Sequence, residues 1–148
     1  MATAQGRERL SSRLKMLMYD DDDANSNVLH YTSWQALEDV ENVMIGVMFA
    51  AGTGLTSGGI YIASSSAGAD AAALKMFTAP TTVDAVGDWR FAEVSAEQVA
   101  QAGAAAGVVY THFSAGITAD AASDEYAVVY IIAPGQFKYS GLTADVTA

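Results

Sequence analysis

Residues 124–139 read DEYAVVYIIAPGQFKY, and this stretch decides the fold. Tyr126, Val128, Tyr130 and Ile132 fall on one face of an extended chain, with Ala127, Val129, Ile131 and Ala133 on the other. β-Branched and aromatic residues fill it and Pro134-Gly135 closes it, which predicts a strand. Both faces are apolar, so neither suits water along its whole length. Such a strand belongs in the middle of a sheet sandwich, or lends one face to another subunit.

The same pattern recurs upstream. In residues 41–51 (ENVMIGVMFAA), Val43, Ile45, Val47 and Phe49 share one face and Met44, Gly46, Met48 and Ala50 the other. Shorter strands are expected at 14–19 (LKMLMY), 59–64 (GIYIAS), 74–78 (LKMFT), 89–94 (WRFAEV), 107–117 (GVVYTHFSAGI) and 136–139. Residues 28–37 (VLHYTSWQAL) are open between strand and turn. The glycines of 52–59 predict a loop or wide hairpin connection, and with no lysine or helix after them they do not form a phosphate cradle. One helix is signalled, at about 95–102: Ser95 and Gln98 form a capping box, Val94 and Val99 a hydrophobic staple, and Gly103 is the expected stop. The fold predicted is all-β, a β-sandwich with one short connecting helix, in a single domain over 14–148 preceded by an N-terminal arm, 1–13.

Charge is unevenly placed. Only 16% of the 148 residues are charged, against a usual ~25%, while 51% are hydrophobic. So few charges leave too little polar surface to solvate both outer sheet faces, which points to a homo-oligomer or assembly. Arg7, Arg9, Arg13 and Lys15 against Glu8 give residues 1–15 a balance of +3. The remainder carries three basic side chains against sixteen acids, −13. A body so acidic repels phosphate backbones, so the folded part is not expected to bind nucleic acid directly. The basic arm suits an acidic protein surface or nucleic acid, and a solvated terminus is the plainest alternative.

Chemistry-bearing patterns are sparse. There is no cysteine, hence no disulfide or thiolate site. The opening MATAQGRERL lacks the apolar core of a secretory signal, and no run approaches the ~20 apolar residues of a membrane-spanning helix. Asp20 to Asp23 are four consecutive carboxylates without the alternating ligands and glycine of a calcium loop, and read as a solvated acidic loop. His30 and His112 have no patterned carboxylate beside them, so no metal site is assigned. No Ser/His/Asp arrangement, H-E-x-x-H or dinucleotide fingerprint occurs, so no catalytic residue and no cofactor are assigned and the protein reads as a non-enzyme.

From residue 86 onward, VGDWRFAEVSAEQVAQAG followed by AVVYIIAPGQFKYSG resembles small structural proteins of tailed-bacteriophage virions, in particular capsid cement (decoration) proteins. The order of strand, short S-A-E-Q helix, strand, turn and strand, with a polar tail, is similar to that group over about half the chain. The resemblance implies a jelly-roll-like sandwich, a trimer on the capsid surface, and major capsid protein as partner. The arm, with Arg7, Arg9 and Arg13, would then reach capsid or sister subunits. Trp34, Trp89, Phe137 and Tyr139 are the expected interface anchors, since buried aromatic residues dominate binding energy. A tail, adaptor or fibre role is the nearest alternative. A carbohydrate-binding module using Tyr61, Trp34 or Trp89 on an open face is the alternative from another class.

Overall fold

The computed structural model describes residues 15–21, 28–52, 54–77, 87–121 and 124–134, the first of these as backbone. Among these residues nine strands and one helix follow in chain order: β1 (Lys15–Asp21), β2 (Leu29–Tyr31), β3 (Gln35–Ala36), β4 (Val40–Ala51), β5 (Leu55–Ala63), β6 (Ala72–Met76), β7 (Trp89–Ser95), α1 (Ala96–Ala106), β8 (His112–Ala119) and β9 (Glu125–Pro134). They form two antiparallel sheets. One has the order β1-β9-β4-β7; the other runs β2-β8-β5-β6, with β3 also on β8. Taking β2 and β3 as one interrupted strand, the chain alternates between the sheets at every connection except the β5–β6 hairpin. That is the jelly-roll arrangement of two Greek keys.

The strand expected before Pro134 takes the place read for it. β9 lies between β1 and β4, and its inner residues Tyr126, Val128, Tyr130 and Ile132 are buried. They meet Val43, Ile45 and Val47 of β4 beside them, and Phe113, Ala115 and Ile117 of β8 across the sandwich. Alternation in β7 also follows the sequence: Ala92 and Val94 are buried while Trp89, Phe91 and Glu93 are exposed.

A tyrosine ties the two sheets where the second is interrupted. Thr32 follows β2 and its N–H reaches the Ala115 carbonyl at 3.0 Å. In an unbroken ladder the Ala115 N–H would return the bond to Thr32. Instead it donates to the Tyr130 hydroxyl at 2.8 Å, which also pairs with Thr32 Oγ1. The Thr32 carbonyl accepts the Ser114 hydroxyl at 2.8 Å. Every partner is buried, so each bond offsets a desolvation cost that would otherwise fall on the core.

Several boundaries differ from the sequence expectation. The helix passes through Gly103 and ends at Gly107, whose φ of 68° is the left-handed C-cap conformation. Gly103 is chosen for space instead: a Cβ there would stand 2.5 Å from the Val108 carbonyl oxygen. The residues taken as a 52–59 loop belong largely to β5, because Gly58 and Gly59 let Phe77 and β6 approach their backbone closely. β8 starts at His112, so 107–111 lead into the strand and are not part of it. Asp20 and Asp21 continue β1 and are not loop; Asp22 and Asp23 lie outside the described residues, as does the strand expected at 136–139.

Candidate functional site

Among the described residues three surfaces stand out beside the core. The first is the outer face of the β1-β9-β4-β7 sheet. Trp89 and Phe91, two residues apart on the edge strand β7, project from the same face and stack with ring centroids 5.6 Å apart and planes at 11°. They lean over Gly46 of β4, where a Cβ would come within 2.6 Å of the Phe91 ring. Even so, Trp89 is 38% and Phe91 54% exposed. Met44, Met48, Ala127, Val129, Ile131 and Ala133 extend this face across β4 and β9, all half-buried.

The second surface is the outer face of the opposite sheet. The interruption after β2 lets Trp34 fold back beside Tyr31, centroids 5.2 Å apart, and Tyr31 meets Tyr61 of β5 edge-on at 5.2 Å. Glycines make room for these rings: a Cβ on Gly116 would be 2.4 Å from Tyr61, and one on Gly68 2.5 Å from Trp34. The 64–71 loop that brings Gly68 under Trp34 is closed by the Ser64 N–H donating to Asp70 Oδ1 at 3.0 Å. Hydrogen bonds from the Ser64 side chain and then its N–H hold the Asp70 carboxyl below the usual carboxylate range. Burial, and secondarily the neighbouring Tyr61, raise the Tyr31 hydroxyl above the ordinary tyrosine value. All three rings are half-buried, so this cluster is largely covered by its own members.

The third is an apolar groove of about 540 Å³ beside α1, walled by Val99, Ala100 and Gly103 of the helix, Leu37, and the Val109–Tyr110 approach to β8. Val109 in its mouth is 79% exposed.

The anchors named from sequence are thus separated. Trp34 and Tyr61 join one cluster through Tyr31, whereas Trp89 lies on the other sheet. Arg7, Arg9, Arg13, Phe137 and Tyr139 lie outside the described residues. His30 sits near Tyr126, at the β8 end opposite His112, whose Nδ1 pairs with the Thr111 hydroxyl at 2.9 Å. Among the described residues no three His, Cys, Asp or Glu side chains gather as metal ligands, and no helix is long and apolar enough to cross a membrane. Sequence reasoning did not single out Phe91, although its i, i+2 spacing from Trp89 was visible. It also missed Tyr31 as the link between Trp34 and Tyr61, which depends on register and not on pattern.

No protein-family model matches the chain, and no curated protein matches it. Among solved structures, a chain from Bacillus endospore appendages, described as a novel family of disulfide-linked pili, is similar over 83% of this chain and 88% of its own, with a TM-score of 0.46 and 13% identity.

Proposed function

We propose that this chain is a structural assembly subunit, a capsid cement protein of the tailed-phage kind that acts as a homotrimer on the virion surface and binds major capsid protein. The observation that carries this reading is the outer face of the β1-β9-β4-β7 sheet, where stacked Trp89 and Phe91 stand on an apolar field built by β4 and β9. Aromatic side chains presented on a rigid strand lose little entropy on docking and make effective anchors. Such a role requires no reacting group: a subunit that binds only the assembled lattice stabilises it by mass action. Light scattering on the purified chain tests the reading. A particle three times the mass of one chain supports it, and a monomer at every concentration that also fails to bind capsids removes it.

A second reading, a carbohydrate-binding module, draws on the part of the Tyr31–Trp34–Tyr61 cluster that its own packing leaves uncovered, because sugar rings stack on aromatic faces. A saturable tryptophan fluorescence change with oligosaccharides, abolished by Trp34→Ala, would place the protein in that class.

A further inference from the structure

We propose that the apolar groove beside α1 is the docking site for residues 1–14 of the same chain, which cross the end of the sandwich as an intramolecular strap. The register fixes where that segment starts. Lys15 pairs with Ile132, Ile132 with Val43, and Val43 with Val94, so one row of residues runs from the beginning of β1 to the end of β7. Ser95, the next residue, caps α1. Three strand spacings separate the two ends, about 14 Å. Fourteen residues span up to about 46 Å when extended, so the segment reaches the groove with length to spare.

Chemistry selects this occupant over others. The groove wall is wholly aliphatic apart from Tyr110. Acids stand beside it: Glu38, Asp39 and Glu41 follow Leu37, and Glu97 follows Ala96, all four exposed. Residues 1–14 carry Leu10 and Leu14 among Arg7, Arg9 and Arg13, with Glu8 as the single acid. Leucine matches the wall and arginine the rim. β9 also ends near this side, with Pro134 paired to Val40, but residues 135–148 hold one lysine and one aspartate and lack that charge match. A second copy could present the same segment, yet a tethered one acts at far higher effective concentration. The groove lies apart from the Trp89–Phe91 face, so this inference stands or falls independently of the assembly reading.

The chain's lack of cysteine allows a direct test on all 148 residues. With Leu10→Cys and Ala100→Cys, a short bismaleimide should close a bridge within single chains. It should do so on the order of tenfold faster than with Leu10→Cys and Glu125→Cys, the latter at the far end of β9. Ala104→Cys provides a second groove position on an exposed helix site. Charge reversal by Arg9→Glu and Arg13→Glu should slow bridging about fivefold, and high salt should do the same. Equal rates at groove and far-end positions, or bridges formed only between chains, would overturn the proposal.

Discussion

The two outer faces of this sandwich start from similar residue types and reach opposite ends. On the β2-β8-β5-β6 sheet, Tyr31, Trp34 and Tyr61 pack on one another, because an interrupted strand lets the tryptophan fold back and a glycine loop receives it. On the β1-β9-β4-β7 sheet, Trp89 and Phe91 also stack, but no described loop folds over them and they stay exposed. The difference is one of connection. The first sheet covers its aromatic rings largely within the chain; the second leaves its aromatic pair exposed.

The largest expected effect comes from breaking the second face. Trp89→Ser with Phe91→Ser should weaken self-association by about 1,000-fold in sedimentation, as loss of two anchors of ~2 kcal/mol each implies. The unfolding midpoint of the dilute protein should barely move. Next comes the tie that supports the first face. Tyr130→Phe strands the Ala115 N–H and should cost about 1–3 kcal/mol in denaturant unfolding. A smaller and sharper contrast lies between two glycines. Gly68→Ala meets the Trp34 ring with φ at +64° and should cost about 1–2 kcal/mol. Gly46→Ala meets the Phe91 ring and the edge of Trp89, both exposed side chains at an ordinary backbone position, and should cost less than about 1 kcal/mol while altering association more.

The smallest effect is pH-dependent. The folded state raises the Tyr31 ionisation, so it binds that proton more tightly than the unfolded chain does. Stability from this source is present in full below the free-tyrosine value of about 10 and declines as pH rises through the higher folded value. Thermal melts above that pH should therefore fall more steeply for the native chain than for Tyr31→Phe. An equal slope would show that the cluster does not shield Tyr31.

Much of the fold was legible because period-two patterning survives wherever one face is core. β4, β7 and β9 each show the alternation that the structure buries, and the Ser95–Gln98 capping box forms as written. What escaped was set by contacts distant in sequence. Gly103 and Gly107 are both plausible helix stops, and only packing against Val108 shows which fills which role. Gly58 and Gly59 resemble loop residues until β6 is seen pressed against them. The candidate surfaces were half visible: Trp34 and Trp89 stand out by type, but strand order alone places them on different sheets.

The central claim is that the Trp89–Phe91 face is covered by another subunit in solution. With two tryptophans in the chain, Trp34→Phe leaves Trp89 as the sole indole emitter. Acrylamide quenching of that variant across a dilution series should show Trp89 shielded at high concentration and open at low, following the measured mass. Trp89 equally accessible at every concentration, on a particle whose mass never changes, would contradict the account.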